Sequence, residues 1–512
     1  MKLHIRIGSG LLPNKLLSLL LIFFNICFIQ SFTQQTRKIN HDADNMEYDR
    51  NLASGAYRLL GNVIFRHERA IMYCDSAYFY SDDNSLDAFD NVYINQADSL
   101  HLYGDFLHYD GNTRVANVRK NVRLLSEETN LYTDALDFDL KSNVGYYTRG
   151  ADIVSGQNKL NSREGYYYSN STMYFFKDSV VIINPDYTIY SDTLKYNTTT
   201  NISYFLGPTE IISDSNYIYC ESGWYNTETD ISFLKDNALL QNPKQTIKGD
   251  SLYYERANGY GEAYKNVELL DTEQKIILKG NFATYNEITE DALITDKAVL
   301  IQITEPDSLY VHADTLTSEI DTSGYKIMKA YNRVKMYKSN LQGKCDSMSY
   351  TFADSVIRLY YEPVLWSEEH QLTSEYIEIR TKNRQIDQLH MIRLAFIISQ
   401  EDTVKFNQVK GKEMICYFRD NDLFKVDVKG NGQTVYYPKD GDEIIGVNKA
   451  ESSDLVIYLE ENEIKEIIFY TKPDATLYPL EKAPQNELKL KDFIWLDRYR
   501  PYKKEDIFTW IE

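Results

Sequence analysis

One register runs through almost the whole chain and limits what it can fold into. A small residue precedes an acid; an apolar residue lies two places after the acid and an aromatic four places after it. Copies centre on Asp44, Asp75, Asp105, Asp134, Asp192, Glu221, Asp250, Asn281, Asp314, Asp346, Glu375, Glu413 and Asp454, with a degenerate copy at Arg163. From Asp75 the successive spacings are 30, 29, 29, 29, 29, 29, 31, 33, 32 and 29 residues, widening at the end to 38 and 41. A fixed period of about thirty residues marks a stacked array in which each unit packs on its neighbours. Between many of these copies stands a second motif, N-V-x-apolar or a close variant, as at Val92/Ile94, Val122/Leu124, Val180/Ile182 and Val267/Leu269. Runs such as YDGNTR, YNTTTN and YNTETD punctuate the gaps with turn formers. Each unit therefore reads strand, turn, strand, turn, with the acid where the first strand starts.

Inside the strands the period is two. Leu107/Tyr109, Leu136/Phe138, Leu194/Tyr196 and Leu252/Tyr254 share one face of the first strand, and Val122/Leu124, Val180/Ile182 and Val267/Leu269 one face of the second. The residues between them are mixed, so one face is dry and the other wet. Tyrosine is abundant at 43 and proline scarce at 11, which suits long sheets. Two such sheets face to face enclose a continuous apolar interior. These fourteen inward residues have two readings: a solenoid core packed shut, or an open groove that takes a ligand.

The N-terminus reads as a targeting segment. Lys2, Arg6 and Lys15 precede the apolar run LLSLLLIFFNICF, which is short for a membrane span and of normal length for a signal peptide. Cleavage is expected near Ser31–Gln35, the alternative being an uncleaved anchor. The expected organisation is a leader at 1–34, jellyroll repeats at 35–400, divergent β repeats at 401–480 and a tail or cap at 481–512. A net charge of −20 argues against nucleic acid as a partner. Cys74, Cys220, Cys345 and Cys416 remain after processing. The first three occupy the small-residue position of their units, so free structural thiols are expected rather than disulfides.

The recurring A/G-D-x-L-x-Y followed by N-V resembles the OstA-like family, which includes the lipopolysaccharide-transport bridge LptA and the periplasmic part of LptD. The stretch VDVKGNGQTVYY…GVNKAESSDLVIYLEENEI is similar to the long members found in Bacteroidota. The resemblance implies an all-β fold, an elongated, open two-sheet β-jellyroll or β-taco. It implies a periplasmic protein that shields lipopolysaccharide acyl chains, or those of a related amphiphile, in an apolar groove for outer-membrane assembly. It also implies other lipopolysaccharide-transport components as partners, joined by edge-strand addition. The chain is much longer than a typical bridge and lacks the transmembrane-barrel region of the outer-membrane partner.

No enzyme motif stands out, and no cofactor, catalytic residue or metal site is expected. His101 and His108 share a unit without a Cys or acidic partner at ligand spacing. The acid column reads as residues that bond local backbone, with a calcium ladder as the alternative. The tail LKLKDFIWLDRYRPYKKEDIFTWIE mixes aromatic and basic residues and reads as a cap over the last rung or as a docking segment. The alternatives to a carrier are an adhesive surface solenoid and a polysaccharide-acting β-helix.

Overall fold

The period-two pattern does produce long antiparallel strands, but in many copies the acid sits in their middle; at Asp44, Arg163, Glu221, Asp346 and Glu375 the position stands directly before a strand, as expected. In the strand Leu100–Asp110, Asp105 is central, and the next strand, Val115–Ser126, carries the N-V motif at its own centre. Tyr103 pairs with Arg123 and Phe106 with Arg119, so two residues on one strand oppose three on the other. The extra residue fits because Lys120 and Asn121 both take left-handed backbone, at φ 62° and 46°. This β-bulge bends both strands and flips the side-chain phase. Leu102 and Gly104 before the bend, and Leu107 and Tyr109 after it, thus face the same interior. The same count recurs at Lys248/Ser251 against Glu268/Tyr264, with Lys265 and Asn266 at φ 54° and 50°. Each unit is one sheet creased along its middle, its two halves folded toward each other as in a jellyroll.

The structure, a computed structural model, describes residues 38–511 apart from 49–54, 97–99, 127–128, 306, 383–384, 420–421, 442 and 461–462. The expected leader at 1–34 lies outside the described residues. Two compact units divide the chain, one ending at Ala151 and one starting at Asp152, and each is creased in this way.

The crease explains the "small, acidic" pair. At the small position the two halves of the sheet nearly touch: a Cβ on Gly104 would lie 2.4 Å from Val118 Cγ1, and one on Gly411 2.4 Å from Val428 Cγ1, which sets the copy read at Glu413 one residue earlier, with Lys412 in the place of the acid. Where a hydroxyl stands there instead, it bonds the carbonyl two residues on: Ser162 to Glu164 at 3.1 Å, Ser191 to Thr193 at 3.2 Å and Ser374 to Tyr376 at 2.8 Å. The cysteines at this position, and Cys416, are free and buried. Burial pushes the Cys74, Cys220 and Cys416 thiols up to about 12.

The acid beside the small residue clamps the left-handed corner of the following strand. Asn91 Nδ2 donates to Asp75 at 2.7 Å, Asn121 to Asp105 at 2.6 Å, Asn237 to Glu221 at 2.7 Å and Asn266 to Asp250 at 2.9 Å. The two copies that lack the acid reverse the pair. Asn281 donates to Asp296 at 3.0 Å, and Arg163 meets Asp178 at 3.1 Å. Arg333 with Asp314 and Arg393 with Glu375 close the same corner by charge. In these copies the acid column is therefore a row of polar clamps between strands.

In the second unit the tail runs back over the outer face of the sheet. Gln371, fully buried, donates to Ile494 O at 2.8 Å and accepts from Leu496 N at 2.6 Å. Gln408 does the same with Leu488 O and Leu490 N, at 2.8 and 2.9 Å, and Arg500 donates to Gln342 at 2.8 Å. Leu490 enters an outer core with Phe396, Ile398, Val435, Tyr437 and Val447, flanked by Phe493 and Trp495. Farther along, Lys335 donates to Thr509 O at 2.6 Å and Phe508 lies 4.9 Å from the His312 ring. The tail is a strap laid across successive strands, a third layer, instead of a plug on the last rung.

Candidate ligand groove

The inward residues behave differently along the chain. In the first unit Leu107, Tyr109, Val122, Leu124, Leu136 and Phe138 are at most 3% exposed, so this interior is packed shut. Its mouth is also stitched across. His67 Nδ1 and Tyr109 OH are 2.7 Å apart, Arg114 and Glu68 pair at 2.7 Å, and Gln96 Nε2 donates to Asn143 at 2.8 Å.

The second unit opens away from its crease. Val180, Leu194, Leu252 and Val267 sit beside the crease and are buried, whereas Ile182, Tyr196, Tyr254 and Leu269, two places farther out on the same face, are only half-buried. Directly paired residues extend this outer part into two rows. One wall is aliphatic without interruption: Ile182, Ile189, Ile211, Ile218, Leu240, Ile247, Leu269, Leu278 and Leu300. All but Ile189 are half-buried. The facing wall alternates tyrosine with small residues: Tyr196, Ser203, Tyr225, Ser232, Tyr254, Gly261, Tyr285 and Ala292. Tyr285 is 38% exposed. With strands about 4.8 Å apart, successive rings stand about 10 Å apart with a gap between them. Leaving a Leu or Ile half in water forgoes about 1 kcal/mol each, a cost that a row of eight repays only if something covers it.

The tyrosine wall ends in a lip of stacked turns. Asn197, Asn226 and Asn286 each cap two backbone N–H groups of their turn at 2.9–3.1 Å. Neighbouring turns join through Thr227 N to Asn201 O at 2.9 Å and Glu287 N to Gly259 O at 2.7 Å. The tyrosine hydroxyls stay on this lip: Tyr225 donates to Asp230, Tyr254 to Glu287 at 3.0 Å and Tyr196 to Asn201 at 3.3 Å. Burial and these carboxylates push the Tyr225 and Tyr254 phenols up, so both remain donors. Among the described residues 231–302, no hydrogen bond or ion pair joins this lip to the opposite one.

Of the fourteen expected residues, the second unit thus brings Ile182, Tyr196, Tyr254 and Leu269 together on an accessible surface. Ile247, Leu240, Leu278, Tyr225 and Tyr285 belong with them. Extending the period of two by one step from each small residue finds the aliphatic ones, and the place four after the acid finds the tyrosines. His108 does have an acidic partner, Asp87 at 2.7 Å, which sequence spacing hid because it lies across the strand pair; His101 meets Tyr93 at 2.7 Å. Among the described residues no group of three or more His, Cys, Asp or Glu is placed to hold a metal ion.

A creased antiparallel repeat with an apolar interior is the class of fold defined here. The model of the OstA-like protein family matches residues 35–192, 188–250 and 213–305, over half of the chain, and the chain belongs to that family. A solved structure of LptH, the LptA-homologous periplasmic component of the lipopolysaccharide transport device of Pseudomonas aeruginosa, is similar over 22% of this chain and 82% of its own, at 14% identity and a TM-score of 0.20. A search of curated proteins finds no match.

Proposed function

We propose that this chain is a periplasmic, non-enzymatic carrier that shields the acyl chains of lipopolysaccharide or a related amphiphile for outer-membrane assembly. Membership of the OstA-like family supports the reading, and the half-buried row from Ile182 to Leu300 facing the tyrosine wall carries it. Shielding would be non-covalent, each acyl CH₂ removed from water contributing about 0.8 kcal/mol. The leader at 1–34 would export the chain, and among the described residues no helix is long and apolar enough to cross a membrane. Repeats at 35–400, divergent repeats at 401–480 and the strap at 481–512 would form the working body. The strand Asn45–Tyr48, with Met46 and Tyr48 exposed, is an edge to which other lipopolysaccharide-transport components would add a strand.

Photocrosslinking tests this. Crosslinkers at Ile247, Tyr254 and Leu269 should capture lipopolysaccharide in cells, and those at outward Ser251 and Lys195 should not. Leu107, sealed in the first unit, serves as a buried control and should stay unlabelled. Equal labelling of inward and outward sets would end the groove reading.

A further inference from the structure

The half-buried groove occupies only the middle of the chain. After Leu300 the aliphatic row continues through directly paired residues, Val311, Met336, Gly343, Leu365, Leu372 and Ile397. Its exposure collapses there: Val311, Met336, Leu365 and Leu372 are at most 3% exposed and Ile397 is 6% exposed. The tyrosine wall tapers over Met328, Tyr350 and Ile357, which are half-buried, and closes at Ile379 and Leu389, 2% and 1% exposed. Two glycines mark the contrast. A Cβ on Gly261, between Tyr254 and Tyr285, would meet nothing nearer than 3.6 Å. One on Gly343 would lie 2.7 Å from Leu365 Cδ2 and 3.0 Å from Met336 Cγ. The interior beside Gly343 is filled by the protein's own side chains, and a packed interior takes extra methylenes only by displacing them. The strap lies across the outer face of these same strands, bonded at Lys335, Gln371 and Gln408. In the first unit Leu107 and Tyr109 are at most 1% exposed, so that interior is filled as well.

We infer that the groove is a bounded compartment, blind toward both ends of the chain, which takes up and releases its amphiphile sideways through the mouth and holds a fixed load. This rests on the carrier reading above and adds the route of the cargo. A conduit would need an apolar interior open along the whole chain, and neither the first unit nor the strands after Leu300 offer one. The row from Ile182 to Leu300 gives about 40 Å of wall at about 4.8 Å per strand. Apolar tails lie between the walls over that length, and the polar head stays in water at the mouth. Exchange with another body then takes place across the lips of residues 231–302, where no bond joins them among the described residues. Strand addition at Asn45–Tyr48 would dock a partner without passing amphiphile through the joint.

The test uses the full mature chain with photo-leucine incorporated in place of leucine throughout. One nearly isosteric probe then stands in every segment of the interior at once. The chain is saturated with lipopolysaccharide and irradiated, and the adducts are mapped to single residues by mass spectrometry. Adducts should fall on Leu240, Leu269, Leu278 and Leu300, and should be about tenfold or more rarer at Leu365, Leu372 and Leu107, on the scale of forcing methylenes into a packed core. Yields at Leu365 and Leu372, or at Leu107, comparable to that at Leu278 would show amphiphile passing along the interior. That result overturns the bounded compartment and leaves the carrier reading standing. Adducts nowhere above the level at outward Leu206 and Leu394, 51% and 59% exposed, would remove the carrier reading and the compartment with it.

Discussion

The crease clamps make a quantitative demand on the sequence. Asp105 accepts from Asn121 at 2.6 Å, while Asn281 donates to Asp296 at 3.0 Å in the same corner of another repeat. The fold therefore tolerates either polarity and needs only one acid and one amide. Asp105→Asn keeps a neutral hydrogen bond and loses charge assistance, a cost of about 1 kcal/mol before the exposure of the site reduces it. Asn121→Asp sets two carboxylates against each other at a left-handed position that Asp accepts nearly as well as Asn, so its cost is electrostatic, about 1–2 kcal/mol once the side chains swing apart. The double variant restores one acid and one amide across the corner, with the acid one place later in the bulge than Asp296 stands in the 281/296 pair, and should return to within about 0.5 kcal/mol of the parent. Stacked arrays need not unfold in one step, so the readout is native-state hydrogen exchange of amides in Leu100–Asp110 and Val115–Ser126. A double variant as destabilised as the sum of the singles, with coupling below about 0.5 kcal/mol, would show that the corner is held by backbone alone.

Other outcomes follow from the same contacts. Gln371→Ala leaves Ile494 O and Leu496 N without their partner under the strap; it should cost about 2–4 kcal/mol locally and expose the tail to limited proteolysis, while Lys482→Ala should not. Cys74, Cys220 and Cys416, pushed up to about 12 by burial, should resist maleimide at pH 7.5 in the native chain and react fully on unfolding. The Lys405 ammonium and the N–H groups of Val404 and Lys405 hold Asp402 low, at about 2. A depressed carboxyl stabilises its turn above its ordinary value of 3.8 and loses that contribution as pH falls through about 2, so carboxyl NMR should show a midpoint near 2 and no change in this turn between pH 5 and 8.

The period, the inward face and the small-residue role of the cysteines were legible because each is local and repeats. The crease was not. Lys120-Asn121 and Asp90-Asn91 carry the residue types of a turn, and only the hydrogen-bonded pairs on both sides show that one strand continues through them. Once the bulge is seen, the acid moves from the start of a strand to its middle, and the Asn281 and Arg163 substitutions become half of a reversed pair. The strap was hidden for another reason. Gln342, Gln371 and Gln408 each stand three places before a crease residue on the outward face, where a lone polar residue gives no sign of a third layer. Their partners lie 158, 123 and 80 residues away, beyond the reach of any periodicity.

Whether the interior is shut or open turned on the least local feature of all. Tyr109, Tyr196, Tyr225 and Tyr254 occupy the same place, four residues after the acid or its equivalent, and by sequence they are interchangeable. Tyr109 sends its hydroxyl across the mouth to His67, 42 residues back, and the Glu68–Arg114 pair beside it pins the two lips together. Tyr225 and Tyr254 find carboxylates on their own lip, in turns that continue the stack they belong to, and among the described residues 231–302 no hydrogen bond or ion pair draws the walls together. One buried histidine at the end of a strand thus decides what a tyrosine does. His67→Phe should break this stitch without loss of apolar volume, and it is the substitution most suited to give the first unit the half-buried interior of the second. An unchanged exchange pattern at Leu107 and Tyr109 in that variant would place the closure in the packing of Leu86, Phe138 and their neighbours rather than in the hydrogen bond.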